Sequence, residues 1–174
     1  MRFLVIILSA TIFFSSCSIK REERDLVTNK VFHIYEENWI TGKLNGKSIY
    51  FYENGNVDME LNYKAGKIDG EYSAYYRNKN LKFRVEYRND LLWNVLGYYD
   101  EKGNELDYGY LKDGNGYIKK YDSDGLIKEE GQVKNGLREG LWKSYLKGKP
   151  FYEKTYNKGK EVGLKNVIIK PIFY

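Results

Sequence analysis

The stretch YFYENGNVDMELNYKAGKIDGEYSAYY, residues 50–76, decides the fold. It holds a strand-like run, an Asn-Gly turn at 54–55, an alternating run at 57–63 and a glycine turn at 65–66, after which the first run returns in outline. Alternation of apolar and polar residues is typical of a strand with one face on a core, and Asn-Gly is a strong hairpin signal. The stretch therefore predicts a β-hairpin that the chain repeats.

The repeat can be followed along most of the sequence. The first strand of each unit begins at a glycine or, once, an asparagine: Gly46, Gly70, Asn94, Gly116, Gly140 and Gly163. These anchors are 24, 24, 22, 24 and 23 residues apart. A lone hairpin is marginal in water, and a fixed period of this size indicates an array of one unit. The sequence predicts an all-β fold, an extended antiparallel β-meander of five to six tandem β-hairpin repeats.

Two columns of residues follow the anchors. Five positions after the first five anchors stand aromatic residues, namely Phe51, Tyr75, Tyr99, Tyr121 and Tyr145. Two positions after the same five anchors stand mostly apolar residues, namely Ser48, Tyr72, Leu96, Ile118 and Trp142. The columns have opposite parity along a strand, so either both faces of the strand are partly covered or a bulge intervenes.

Turn residues punctuate the units at matching places. Glycine supplies the positive φ that tight hairpin turns need. The predicted structural turn glycines are Gly55, Gly66, Gly103, Gly125, Gly136 and Gly148. Residues 28–39 predict a leading strand, and residues 167–174 a closing strand in which Pro171 suits an edge.

The N-terminus has the layout of a secretory signal over residues 1–16, with Arg2 before an apolar run and small residues after it. Phe14-Ser15-Ser16-Cys17 resembles the bacterial lipobox, with Phe14 where leucine is usual. The resemblance implies that Cys17, the only cysteine, is acylated and anchors the chain to a membrane by its lipid. An ordinary signal peptide with a stray thiol is the alternative.

The residues after Cys17 predict a lipidated tether over 17–27 and a single β-repeat domain over 28–174. Ser18 after the cysteine is typical of lipoproteins sent to the outer membrane, so we expect a cell-envelope location on the periplasmic or surface face. Residues 18–25 (SIKREERD) also resemble a short charged surface-export signal, and a solvated tether is the other interpretation.

Composition and side-chain chemistry argue against several functions. The 29 basic and 24 acidic residues are scattered, which does not favour nucleic acid binding. The only histidine, His33, lies in an alternating run and is expected on the wet face of a strand, so we predict no enzyme, no metal site and no cofactor. A carboxylate column is expected to pair with cross-strand Lys or Arg; its members are Glu60, Glu129, Glu130 and Glu153.

The repeat also carries a family resemblance. Gly-x-aromatic-x-x-Tyr-Tyr-x-Asn-Gly, followed by a Glu-bearing strand and Tyr-Lys-x-Gly-Lys-x-x-Gly, resembles the MORN-variant repeat of bacteria, a group often called YwqK-type antitoxins. The resemblance extends from Gly42 to Gly163, and it departs from the pattern at Asn94, Asp100 and Asp122. It implies a scaffold, and a scaffold does not fix chemistry.

Three functions remain open from the sequence. The first is protein binding by an aromatic-rich face, because 18 Tyr, 8 Phe and 3 Trp exceed the needs of one core layer. Its candidate partner-binding residues are Tyr50, Tyr52, Tyr72, Tyr76 and Trp142. The second is neutralisation of a toxin, which the resemblance implies, and the third is binding of an envelope glycan. Alternatively, these aromatic residues form the buried layer of the sheet.

Overall fold

The computed structural model describes residues 5–7 and 18–166, and all regular structure within them is β-strand. Consecutive strands pair antiparallel as hairpins, which confirms the predicted all-β meander. The chain divides into two compact units, Met1–Asp90 and Leu91–Tyr174, where the sequence predicted one repeat domain over 28–174. Cys17 and the predicted closing strand at 167–174 lie outside the described residues.

The first unit contains seven strands that pair in chain order. They are β1 Val5–Ile7, β2 Ser18–Arg24, β3 Val31–Asn38, β4 Leu44–Phe51, β5 Val57–Lys64, β6 Lys67–Tyr75 and β7 Leu81–Arg88. Two of the predicted hairpin repeats lie in this unit, and they are β4–β5 and β6–β7.

The second unit also contains seven strands. They are β8 Leu91–Tyr98, β9 Gly109–Lys112, β10 Asn115–Tyr121, β11 Ile127–Lys134, β12 Leu137–Leu146, β13 Lys149–Asn157 and β14 Lys160–Asn166. Strands β9 to β14 form a six-stranded antiparallel sheet in chain order. Strand β9 has only four residues and begins later than the alternation at 106–110 predicted, whereas β11 and β13 form fully although their alternation is weak.

The segment after Cys17 is a strand where the sequence predicted a solvated tether. Ser18–Arg24 pairs antiparallel with β3 along its whole length. Arg21 lies opposite Tyr35 and Glu23 opposite His33, so polar side chains of β2 contact the core of the first unit. Polar composition alone misleads here, because charged side chains are tolerated in a strand when they find partners, as Arg21 does with Glu37 and Glu23 with His33.

Two kinds of turn alternate along the chain as far as residue 136, and the later Lys147–Gly148 turn inside the fifth repeat also has two residues. The turns between repeats have two residues, and both residues have positive φ, as Ala65 (52°) and Gly66 (85°) show. The turn inside the first repeat has three residues rather than the expected two: the Gly55 N–H bonds to the Tyr52 carbonyl at 2.9 Å, and the Tyr52 N–H to the Asn56 carbonyl at 2.8 Å. All six predicted turn glycines have positive φ, with values between 71° and 89°.

A bulge lies beside the aromatic column, but its extra residue is in the second strand, so the opposite parity of the two columns means that both faces of the first strand are partly covered. Tyr50 pairs with Met59 but Phe51 pairs with Val57, so β5 has one extra residue at this point. The same shift recurs beside Tyr75, Tyr121 and Tyr145. Phe51, Tyr75 and Tyr121 are thereby set opposite the residue that begins the second strand, whereas Tyr145 lies opposite Pro150, the second residue of β13.

A second bulge surrounds the anchor glycine. Tyr63 pairs with Ile68 and Leu61 with Tyr72, so four steps on β6 lie opposite two on β5, and Gly70 sits between them with φ of 113°. Gly46 holds the same position one repeat earlier, where an added Cβ would lie 2.1 Å from Glu36 Oε2. The anchor column is therefore glycine because of the bulge and the close approach of β3.

A hydrogen-bond column that the sequence interpretation missed joins successive repeats. A polar side chain at or just before each anchor accepts a bond from the backbone N–H of the next inter-repeat turn, at 2.8–3.2 Å. The acceptors are Asn45, Asp69, Asn94, Asn115 and Glu139. The signal was present in the sequence as a polar residue just before an anchor glycine, and Asn94 occupies this acceptor position rather than the position of the glycine.

Each unit has its own buried layer. In the first unit it includes the side chains of His33, Tyr35, Ser48, Leu61, Ser73, Ala74, Tyr76 and Val85. In the second unit it includes Val95, Tyr98, Leu111, Ile118, Val133 and Trp142. The first layer contains three polar side chains and the second contains none of the buried polar residues among those described.

Candidate functional site

One face of the first unit is lined with aromatic side chains. Cross-strand pairing places Tyr50, Met59, Ala74 and Phe83 in one row, and the next row on the same face contains Tyr72. We call the half-buried members the aromatic face, which consists of Tyr50, Met59, Tyr63, Tyr72, Phe83 and Tyr87. These side chains come from four adjacent strands, β4 to β7, whose hydrogen-bonded backbones hold them on one face of the sheet.

Tyr72 is at the centre of the aromatic face. Its ring meets Phe83 edge to face with centroids 5.0 Å apart, and Tyr87 at 6.2 Å. Its hydroxyl lies 3.6 Å from the sulfur of Met59. Burial, followed by the nearby Tyr87 and Asp58, raises the pKa of Tyr72 to about 12, so the phenol is neutral at physiological pH. The centre of the face is a neutral, π-rich surface with one polar handle.

A polar cluster lies beside the aromatic face, within the core. His33 Nε2 is 2.8 Å from Ser48 Oγ, and His33 Nδ1 is 3.2 Å from Glu23 Oε2. A carboxylate can only accept, so Nδ1 carries the proton and Nε2 accepts the Ser48 hydroxyl. Strands β2, β3 and β4 each supply one member. The expectation that His33 stands on the wet face is wrong, since only 6% of it is exposed.

The hydrogen-bonded order Ser48–His33–Glu23 is that of a catalytic serine, histidine and carboxylate triad. Such a triad acts only where a substrate can reach the serine hydroxyl. Ser48 is 1% exposed. The imidazole is covered on its faces by Tyr50, stacked at 3.9 Å, and by Tyr35 at 4.7 Å. No substrate carbonyl can reach the hydroxyl in this packing. Burial lowers the pKa of His33 despite the opposing carboxylate of Glu23, and the cluster is a satisfied buried network.

The five predicted partner-binding residues separate into two groups. Tyr76 and Trp142 are buried, at 5% and 2% exposure, and belong to the core, so these two side chains as packed have almost no surface to offer a partner. Trp142 also belongs to the second unit. Tyr50, Tyr52 and Tyr72 are half-buried. Their shared parity was a correct signal for one strand face, but parity does not reveal how deeply a side chain is covered.

Tyr52 stands apart from the other two half-buried tyrosines. Its hydroxyl donates to the Tyr75 carbonyl at 2.7 Å, and the Arg77 guanidinium lies 5.0 Å from its ring centroid. Burial raises the pKa of Tyr52 to about 12, with Asp58 adding to the effect. Tyr52 therefore ties one repeat to the next, and we leave it outside the aromatic face.

The carboxylate column has the cross-strand cations that the sequence predicted at two of its positions. Glu60 lies 3.6 Å from Lys47 Nζ. Glu129 is bound by Lys120 at 3.0 Å and by Arg138 at 2.8 Å. Burial opposes ionisation of Glu129, but the two cations outweigh it and hold its pKa below the usual value. Glu130 instead accepts a hydrogen bond from the Tyr145 hydroxyl.

Within residues 5–7 and 18–166, no group of three His, Cys, Asp or Glu side chains is placed to hold a metal ion. The same residues contain no helix of the length and apolarity needed to cross a membrane. The fold and the aromatic face define the chain as a β-protein of tandem hairpins with one half-exposed aromatic surface. No protein-family model matches the chain, and no curated protein matches it.

Proposed function

We propose that the chain is a non-enzymatic β-repeat scaffold that binds a protein partner through the aromatic face, at the bacterial cell envelope, where a lipid on Cys17 would anchor it. The supporting observation is the continuity of Tyr50, Met59, Tyr72 and Phe83 across adjacent strands, half-buried and not sealed into the core. Aromatic and methionine side chains on a rigid support are typical of the centres of protein interfaces.

Energetics support binding at this face rather than a purely structural role for it. The same face of the sheet already contains the buried side chains of Leu61, Ala74 and Val85. The aromatic rings beside them lose only part of their surface on folding, so more apolar area is left to bury against a partner. Tyrosine and phenylalanine have two side-chain torsions each, and fixing them on binding costs little entropy.

Photo-crosslinking tests the proposal at one position. Benzoylphenylalanine placed at residue 83 should crosslink a discrete envelope protein, and Tyr50→Ala should abolish that product. The control site is residue 110, where the native tyrosine is exposed in the second unit and outside the aromatic face. The same product from both sites, or a product that survives Tyr50→Ala, would refute protein docking at this face.

A glycan is the second candidate ligand, because rings arranged side by side on a sheet can stack against sugar rings. In that case the crosslinked product would contain envelope polysaccharide and no polypeptide, and it would be lost on digestion with glycosidases. Toxin neutralisation would use the same face, with a toxin as the crosslinked protein. Mass spectrometry of the product would distinguish a toxin from another envelope protein.

A further inference from the structure

Strand β14 ends the sheet of the second unit. Lys160–Asn166 pairs with β13 on one side, and no other described residue pairs with its outer edge. An edge strand presents a row of N–H and C=O groups that a further strand can pair with. The outer edge of β14 is thus a template for strand addition.

The side chains of β14 are largely exposed. Val162 is 63% exposed and Leu164 is 59% exposed. Lys160 and Lys165 are exposed at its two ends, while Glu161 is bound by Lys154 at 2.7 Å. An added strand would cover the two apolar side chains and meet a lysine at each end.

The charge of this part of the sheet selects the partner. Residues 137–166 contain eight basic and three acidic residues, a formal net charge of +5. Residues 109–134, the other half of the same sheet, contain five of each and are neutral. A polypeptide that pairs with β14 therefore gains attraction if it is acidic, and it is repelled if it is basic.

We infer that the outer edge of β14 binds an extended acidic segment of another polypeptide by strand addition. Backbone pairing would supply affinity, Val162 and Leu164 would receive alternate apolar side chains, and Lys160 and Lys165 would select carboxylates. This surface is in the second unit and is independent of the aromatic face. The inference therefore stands or falls separately from the proposed function.

A second copy of the chain suits this edge less well. Antiparallel pairing of two β14 strands would set Glu161 against Lys165, but it would bring together two regions that each have a net charge of +5. A lipid surface could satisfy the lysines, but it offers no groups that pair with the backbone of an edge strand. An acidic polypeptide satisfies both the charge and the backbone.

The experiment uses the full chain carrying Cys17→Ser and a synthetic seven-residue peptide that alternates Glu and Thr. We expect the peptide to slow amide hydrogen exchange of residues 160–166, and rising NaCl to weaken the effect. Two control peptides separate the contributions: one alternates Lys and Thr, and the other keeps Glu and Thr but has N-methylated amides. Neither should protect β14.

Matched protein variants test the charge selection. Lys160→Glu with Lys165→Glu should weaken peptide binding roughly tenfold. Lys64→Glu with Lys67→Glu, which flank an inter-repeat turn of the first unit and make the same change in net charge, should leave binding unchanged. Equal protection by the N-methylated peptide would reduce the effect to charge alone and overturn strand addition.

Other occupants of the edge give distinct results. Slow exchange of β14 without peptide that rises with protein concentration, together with a dimer in sedimentation, would show that a second copy occupies the edge. Slow exchange that is lost on removal of residues 167–174 would assign it to the chain's own C-terminal segment. Protection by phosphatidylglycerol vesicles but not by the acidic peptide would assign it to lipid. Each of these results overturns the inference.

Discussion

Ser48 and Trp142 hold the same place in the repeat, two residues after an anchor glycine, and both are buried. In the first unit the small Ser48 lies opposite Leu61 and bonds to His33. In the second unit the large Trp142 lies opposite Gly131 and donates from Nε1 to the Gln132 carbonyl at 2.9 Å. Turns and bulges therefore fix the position of this residue in both units, while the size of its side chain is matched to the residue on the opposite strand.

The largest expected effect breaks the pair in the second unit. Trp142→Ala should lower the free energy of unfolding by about 3–5 kcal/mol, because it empties the space above Gly131 and leaves the Gln132 carbonyl without its donor. It also removes the ring that Arg138 covers at 4.1 Å. Urea unfolding followed by circular dichroism measures the loss. Trp39→Ala, at an exposed tryptophan, is the control, and a loss of similar size there would contradict the assignment.

The small partner of Trp142 gives the next effect. A methyl group at Gly131 would lie 2.4 Å from Trp142 Cδ2, so Gly131→Ala should cost about 1–3 kcal/mol of unfolding free energy through overpacking. In a Trp142→Ala background the same change should cost much less, because the clash is gone. A double-mutant cycle measures this coupling, and additive costs would show that the two residues are not a complementary pair.

The pair in the first unit is expected to respond through hydrogen bonding. Ser48→Ala removes the donor to His33 Nε2 and leaves a buried nitrogen unsatisfied, at a cost of about 1–3 kcal/mol in unfolding free energy. The exposed Ser123→Ala should change stability little. In a His33→Phe background, Ser48→Ala should cost less than it does alone. An equal cost in both backgrounds would exclude the hydrogen bond as its source.

Substitutions in the turns should change stability less, and they should do so with opposite signs in two repeats. Gly55 and Lys79 both occupy the third position of a three-residue turn, with φ of 82° and 76°. Gly55→Ala should destabilise by about 1 kcal/mol and Lys79→Gly should stabilise by up to about 1 kcal/mol, because residues with a Cβ are strained at positive φ. Thermal melts measure both, and changes of the same sign would contradict the turn assignment.

Gly42 lies before the first anchor, Gly46, and the repeat frame by itself predicts that substitution there matters less than at Gly55. The backbone at Gly42 gives a reason to expect otherwise. Its φ is 64° and its N–H bonds to the Asn38 carbonyl at 2.8 Å, so it closes a turn of its own. Gly42→Ala should therefore cost about as much as Gly55→Ala. A cost near zero at Gly42 alone would restore the original expectation.

The smallest expected effect is a pH dependence of stability that comes from His33 in the core of the first unit. Burial lowers the pKa of His33 in the folded chain below its unfolded value of 6.5. The unfolded state therefore binds the proton first, and stability falls as pH drops through about 6.5 toward the lowered value. The melting temperature should decline between pH 7.5 and 5.5, and His33→Gln should flatten that decline. An unchanged slope in the variant would place the titrating group elsewhere.

The sequence by itself determined the hairpin repeat, its period and the turn positions. These features are local, because Asn-Gly and Lys-Gly pairs fix turn geometry and alternation fixes which residues share a strand face. The half-buried tyrosines Tyr50 and Tyr72 were identified for the same reason. The polar column from Asn45 to Glu139 was also visible as a pattern, although its role needed the position of the neighbouring turn.

Only the tertiary structure decided how deeply each side chain is covered and which residues meet across strands. Trp142 and Tyr76 have the parity of Tyr72, but neighbouring strands cover them fully, and parity contains no information about depth. Glu23, His33 and Ser48 come from three strands, and the pairing of these strands brings His33 within 3.2 Å of Glu23 and 2.8 Å of Ser48, although the three are far apart in sequence. Burial and cross-strand contact are properties of the assembled sheet, since they depend on residues far away in the chain.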